Sequence, residues 1–397
     1  MDIDYQSKIS KVVNGIAPSA IRRFFDLANE MKGEVISLSI GEPDFVTPWN
    51  IREAGIFSLE DGNTHYSPNQ GYIEVRKAIS EYLQRRFELK YDPKSQILVT
   101  VGGSEALDLI ARSLIDPGDE VIILEPCFVA YKATVTLAHG VPVVIETKEE
   151  DEYRLKPEAL EAAITDKTKY IILGYPGNPT GATMSREDLA AIKDVLVRHP
   201  DIFVVSDELY SELSYTGERP VSIANFPEMY DRTIVVNGFS KSFAMTGWRI
   251  GYMAGPAPLV AAMNKVHQYC IMCSPTTAQY AVIEACRNGD KEVDEMREEY
   301  NRRRRVIIKG LTDAGLKCFA PTGAFYAFPS IEGLGLSSEK FCERFLMEKK
   351  VAIVPGNAFG KCGEGHVRIS YAASMENIQE AMKRLKEFVS DLKEENK

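Results

Sequence analysis

The stretch Ile97-Leu98-Val99-Thr100-Val101-Gly102-Gly103-Ser104-Glu105-Ala106 is an apolar, β-branched run, two glycines and the start of an amphipathic segment. The run predicts a buried strand over Ile97–Val101, and the segment predicts a helix over Ser104–Ile115. The same texture continues along the chain. Further strands are expected at Glu120–Leu124, Val141–Ile145, Tyr170–Leu173, Phe203–Ser206, Thr233–Asn237 and Ile250–Ala254, with helices such as Ser185–Arg198 between them. This alternation predicts βαβ units and a seven-stranded, mostly parallel sheet covered on both faces, an α/β fold. After about residue 285 the pattern changes. A charged helical stretch runs from Lys291 to about Leu311, short strand-like pieces follow at Ala324–Phe328, Val351–Val354 and His366–Tyr371, and a last helix covers about Met375–Glu394. We therefore expect a large domain over 47–285, and a smaller α+β domain built from 1–46 and 286–397.

Composition narrows the function. The 397 residues suit two domains at roughly 100–200 residues each. Hydrophobic residues at 45% and charged residues at 26% mark a folded globular chain. A net charge of −10 argues against nucleic acid as a partner, since phosphate binding needs clustered positive charge. Arg302–Arg305 follow Glu295, Glu298 and Glu299 at helix spacing, so that run reads as a salt-bridged, solvated helix face. No apolar run reaches the ~18 residues of a membrane span. The stretch Met1–Lys11 lacks the apolar core of a signal peptide, so a cytoplasmic location is expected. Seven cysteines, odd in number and scattered, do not form a disulfide framework. Cys270 and Cys273 have CxxC spacing with His267 just before them, but no fourth ligand follows at zinc-site spacing. No metal is expected, and packing is the reading for both cysteines.

In an open parallel sheet, ligands bind beyond the carboxyl ends of the strands. Gly102-Gly103-Ser104 there allows close backbone approach at a helix start, a plausible phosphate cradle. Phe128 follows the second run, Asn178 the fourth, Asp207 and Tyr210 the fifth, and Ser240 and Lys241 the sixth. Each has an ordinary reading by itself: a turn for Asn178-Pro179, a helix cap for Asp207, a surface side chain for Lys241. Together they surround one cleft with a cradle, an aromatic plate, a carboxylate, a phenol and a lysine able to form a Schiff base.

Gly238-Phe239-Ser240-Lys241-Ser242-Phe243-Ala244-Met245-Thr246-Gly247-Trp248-Arg249-Ile250-Gly251 resembles the lysine signature of the class I aminotransferases, pyridoxal-phosphate (PLP) enzymes of fold type I. Other landmarks of that family stand in the expected order: Gly41 to Phe45, Tyr66 to Gly71, Gly102 to Ser104, Asn178 to Gly181, Asp207 to Tyr210, Pro321 to Tyr326 and Val367 to Ser370. The resemblance implies a homodimeric transaminase of amino acid metabolism working by a ping-pong mechanism, with 2-oxoglutarate and glutamate as one substrate pair. It implies that Lys241 carries PLP as a Schiff base and moves the proton, and that Asp207 pairs with the ring nitrogen. Tyr210 and Asn178 would hold the ring's phenolic oxygen, and Phe128 would stack on the ring. Gly103, Ser104, Ser240 and Arg249 would bind the phosphate, with Tyr66 reaching across to the neighbouring subunit's cofactor. Arg368 would clamp the substrate α-carboxylate, assisted by Asn178 and the backbone at Gly41.

Within the family, Lys265 to Tyr269 and the stretch Pro321 to Tyr371 are most similar to the N-acetyl-L,L-diaminopimelate aminotransferases, with aromatic and aspartate aminotransferases nearby. Aspartate-specific members tend to carry a lysine at the position of Ser104. That departure weakens the aspartate reading, because a distal carboxylate wants a cation; Arg22 or Arg23 could supply one. Two alternatives keep the fold: a PLP-dependent C–S β-lyase, and a non-catalytic PLP-binding regulator. The acidic charge and the short stretch ahead of Gly41 speak against a DNA-binding regulator.

Overall fold

A computed structural model describes residues 3–18, 31, 35–218 and 221–395. A short strand β1 (Ile36–Ser37) precedes the seven strands of one sheet: β2 (Ile97–Thr100), β3 (Glu120–Glu125), β4 (Val141–Glu146), β5 (Thr168–Gly174), β6 (Phe203–Asp207), β7 (Thr233–Gly238) and β8 (Gly251–Ala254). All seven expected runs are strands of that sheet. Their spatial order is β2-β8-β7-β6-β5-β3-β4. The pairs β3–β4, β3–β5, β5–β6 and β6–β7 are parallel, and β8 runs antiparallel to both β2 and β7. This is the fold type I architecture that the resemblance implies.

Outside the exposed edge strand β4, the continuous apolar runs follow from burial on both faces. Ile97, Val99 and Val235 pack on one side, against residues of the helices Ile73–Phe87 and Thr276–Asn288. Leu98, Ile234 and Val236, one residue out of phase, pack on the other side with the helices Gly102–Leu114 and Ala257–Cys270. The chain passes from β3 outward to β4 and returns on the other side of β3 as β5. That reversal opens a crevice between the segments that follow β3 and β5.

Four short strands follow: β9 (Tyr326–Ala327), β10 (Val351–Ala352), β11 (Val354–Pro355) and β12 (Val367–Ser370). The expected strand Val351–Val354 divides, because Val351 and Ala352 pair in parallel with β1 whereas Val354 pairs with Arg368 of β12. β12 also pairs with β9. Leu38 joins the core formed by the helices Asp290–Asp313, Ser338–Lys349 and Met375–Glu395. The Ser370 N–H donates to the Leu38 carbonyl at 2.8 Å, which fixes the segment after β1 beside β12. The arginine run carries its expected salt bridges, Arg302 to Glu299 at 3.1 Å and Arg303 to Glu299 at 3.0 Å. Arg303 is not solvated, however. It is buried and binds Asp44 at 2.6 Å, tying that helix to the segment after β1.

Candidate active site

The carboxyl ends of the parallel strands and the segment after β1 enclose a cavity of about 440 Å³. Gly103 and Ser104 enter it from the helix after β2, Phe128 from the loop after β3, and Asn178 from the loop after β5. Asp207 ends β6 and Tyr210 follows it; Ser240 and Lys241 follow β7; Arg249 precedes β8. Gly41 closes one wall, and Arg368 of β12 reaches in from the neighbouring three-stranded sheet. Tyr66 does not line this cavity; it is 80% exposed. Arg22 and Arg23 lie outside the described residues.

Lys241 is half-buried at the cavity, and its Nζ donates to the Gly41 carbonyl at 2.5 Å. Desolvation by the surrounding chain pulls its pKa down to about 8. Glu42 resists that shift, while Arg368 and Arg249 add to it. An amine with that pKa is free base in roughly a tenth of molecules at pH 7, enough to act as nucleophile and proton carrier.

Asp207 is driven the other way, as burial raises its pKa. Two donors hold the carboxylate against that shift: the Tyr131 hydroxyl at 2.7 Å and the Leu209 N–H at 3.2 Å. A desolvated carboxylate facing a cavity calls for a cationic partner, such as a protonated ring nitrogen. Tyr131 is a site residue that sequence reasoning did not identify. Its signal was one helical turn, three residues after Phe128, whose ring it meets edge-on at 5.8 Å.

Tyr326, a landmark to which the sequence assigned no role, bonds the Tyr210 hydroxyl at 2.7 Å. A Cβ on Gly41 would lie 2.1 Å from the Tyr326 hydroxyl oxygen, so only glycine at 41 leaves that phenol in place. The arrangement presents phenols beside the lysine.

At the other end the helix Gly102–Leu114 begins without a side-chain cap, since Val101 at its N-cap has nothing to offer. The N–H groups of the first turn have no partner within the helix and point outward, a cradle for an anion. Gly102 has φ +73°, and a Cβ there would come within 2.9 Å of an Arg249 Nη. The guanidinium thus abuts the glycine turn, with Ser104 and the buried Ser240 lining the same cavity.

Arg368 is buried at 2% exposure. Its Nη1 donates to Asn178 Oδ1 at 2.9 Å and its Nη2 to the Ser39 carbonyl at 2.6 Å. The guanidinium lies over the rings of Tyr326 and Phe359, at 4.5 and 4.8 Å. No carboxylate pairs with it among the described residues, and its Nε has no partner. Burial draws its pKa down from the ordinary value. A buried cation without a counter-ion is costly, and a bound carboxylate would relieve that cost.

These groups fit PLP feature by feature: an amine for its aldehyde, a half-buried, desolvated carboxylate for its ring nitrogen, and an uncapped helix start with an arginine for its phosphate. Comparison with known proteins gives the same answer. The sequence model described as "Aminotransferase class I and II" matches residues 33–385. A putative aminotransferase of Bacillus subtilis, YugH, is 51% identical over 383 residues, covering 96% of this chain and 98% of that protein. An aspartate aminotransferase of Pyrococcus abyssi is 46% identical, covering 95% and 97%. The crystal structure of an aromatic aminotransferase from Pyrococcus horikoshii superposes with a TM-score of 0.88 at 46% identity, covering 93% of this chain and 99% of that one. The chain belongs to the class I and II aminotransferases, a PLP-dependent family of fold type I.

Proposed function

We propose that this aminotransferase moves the amino group of an L-amino acid to a 2-oxo acid by a ping-pong mechanism, with 2-oxoglutarate and glutamate as one pair. One substrate leaves its amino group behind and departs as an oxo acid; a second oxo acid takes the group away. The observation that carries the reading is the buried guanidinium of Arg368, which pairs with no carboxylate among the described residues, in the cavity that holds Lys241. When bound, PLP supplies an aldehyde to accept the amine and a ring to draw electrons from the breaking C–H bond.

The chain's own residues do the rest. Arg368, with Asn178 and the Gly41 backbone, grips the α-carboxylate and fixes the Cα–H direction. Lys241 Nζ takes the proton from Cα and returns it on the other side of the exchange. Asp207, held by Tyr131, keeps the ring nitrogen protonated. Tyr210 and Asn178 bind the phenolic oxygen, Phe128 stacks on the ring, and Gly103, Ser104, Ser240 and Arg249 bind the phosphate.

For the donor, Lys241, Arg249 and Arg368 are the cations that line the cavity among the described residues, and each already has a role. Among the described residues no fourth cation is left for a distal carboxylate, Arg22 and Arg23 lying outside them, and Ile40 and Leu107 add apolar wall. The apolar wall and Ser104 in place of a lysine favour an aromatic L-amino acid, with N-acetyl-L,L-diaminopimelate and, through Arg22 or Arg23, aspartate as the further candidates.

Tyr66, exposed on one chain, reaches the phosphate of a second copy in a homodimer with shared sites. Residues 47–285 act as the large PLP-binding domain, with 1–46 and 286–397 as the small one. Seven free cysteines suit a reducing cytoplasm. Among the described residues, no helix is long and apolar enough to cross a membrane. Initial rates with phenylalanine at several fixed 2-oxoglutarate concentrations test the mechanism. Parallel double-reciprocal lines are expected, and intersecting lines contradict it.

A further inference from the structure

Glu105 stands in the first turn of the helix whose start forms the cradle, yet it does not line the cavity. Its Oε2 accepts the Val101 N–H at 2.5 Å, and its Oε1 bonds His267 Nδ1 at 2.7 Å. His267 comes from the last turn of the helix Ala257–Cys270 and is wholly buried. A carboxylate only accepts, so Nδ1 carries the hydrogen. The other ring nitrogen, Nε2, has no partner, so the contact with Glu105 is the ring's one polar bond.

Glu105 is an awkward residue for this place. A carboxylate in the first turn is drawn to the unpaired N–H groups of its own helix. A phosphate in the cradle needs those same groups and would be repelled by a negative charge on them. Both oxygens of Glu105 are instead committed elsewhere, to the N-cap N–H and to His267.

We propose that His267 is a positioning residue for the cofactor phosphate. By holding Oε1 it keeps Glu105 on the Val101 N–H, away from the N–H groups of Gly103 and Ser104. This rests on the reading that PLP binds with its phosphate at those residues. The pair lies 162 positions apart in sequence and joins two helices on the same face of the sheet.

The test is PLP affinity of the apoenzyme, followed by fluorescence quenching, with pyridoxal as the probe that lacks the phosphate. His267→Leu and His267→Gln both remove the donor at the Nδ1 place; His267→Asn keeps an amide N–H there. For the Leu and Gln variants the PLP dissociation constant is expected to rise about tenfold, with pyridoxal affinity unchanged. His267→Asn should stay near wild type. His267→Leu/Glu105→Gln should recover most of the loss, because the amide still accepts the Val101 N–H and carries no charge toward the phosphate. If the Leu variant does not fold, the Gln variant carries the test. Full PLP affinity in the donor-lacking variant overturns the proposal. So does a double variant as weak as the single one, which would make the loss one of packing. A wild-type enzyme that binds pyridoxal as tightly as PLP would instead overturn the phosphate assignment itself.

Discussion

The Tyr131 hydroxyl donates to Asp207 Oδ2 across 2.7 Å, joining the helix that follows Phe128 to the end of β6. It is one of the two bonds that resist the rise in Asp207's pKa on burial. Tyr131→Phe removes it with almost no change of shape. Without it the Asp207 pKa rises further, so the carboxyl takes a proton for itself more readily and is less able to stay the anion that keeps the ring nitrogen protonated. Turnover should fall about tenfold, the size of one hydrogen bond to a charged group. Melting temperature should barely move. A kcat within twofold of wild type would remove Tyr131 from the site's working parts.

Arg368 bridges Asn178 and the Ser39 carbonyl while lying between two aromatic rings. Lysine cannot reproduce a planar fork in that slot. Arg368→Lys should raise KM for every amino acid by about 10- to 100-fold, with a smaller loss in kcat. Uniform KM values in the variant and the wild type would contradict the carboxylate clamp.

Lys241 has its pKa lowered to about 8 by desolvation. Only the free base attacks an aldehyde. The rate at which apoenzyme takes up PLP should therefore rise with pH through about 8 and then level. A rate that keeps climbing toward pH 10 would mean an ordinary, solvated lysine. Lys241→Ala should bind PLP without the covalent link and lose turnover.

Glu208, next to Asp207, is buried and accepts bonds from Ser206 at 2.7 Å and from Ser222. Burial raises its pKa from 4.5 to about 7, against those two bonds. The folded chain thus holds this proton more tightly than the unfolded one. Its contribution to stability is full below about 4.5 and is lost as pH rises through about 7. Glu208→Gln keeps the acceptor and removes the titration. Its stability relative to wild type should climb across that window, to an advantage on the order of 1–3 kcal/mol at pH 8. Denaturant unfolding at pH 5 and pH 8 reads the difference; a gap that does not change with pH would contradict it.

Much of this was legible in the sequence, for physical reasons. The sheet announced itself because its inner strands are buried on both faces and so carry unbroken apolar runs, as in Val121–Leu124 of β3. The ligand-facing residues follow those runs directly, so Asn178, Asp207 and Lys241 could be placed by position alone. What stayed hidden depends on contacts between distant segments. Tyr131 looks like any helix aromatic until β6 brings Asp207 to it. Tyr326 has room for its hydroxyl because Gly41, far away in sequence, carries no side chain, and Arg303 is buried where Asp44 and Phe45 come to meet it. His267 read as a neighbour of two cysteines, yet its partner is Glu105. The run Val351–Val354 carries no mark of its division, because the break is set by its two different partners.

The most direct test of the account is a single half-reaction. The PLP-loaded enzyme is mixed with one amino acid and no oxo acid, and the absorbance of the cofactor's aldehyde form is followed. Phenylalanine, tyrosine, aspartate, glutamate, alanine and N-acetyl-L,L-diaminopimelate make up the panel. The account predicts conversion to the amine form with release of one equivalent of oxo acid, faster with phenylalanine or tyrosine than with aspartate. No conversion with any of them, or release of ammonia in place of amine transfer, would contradict it.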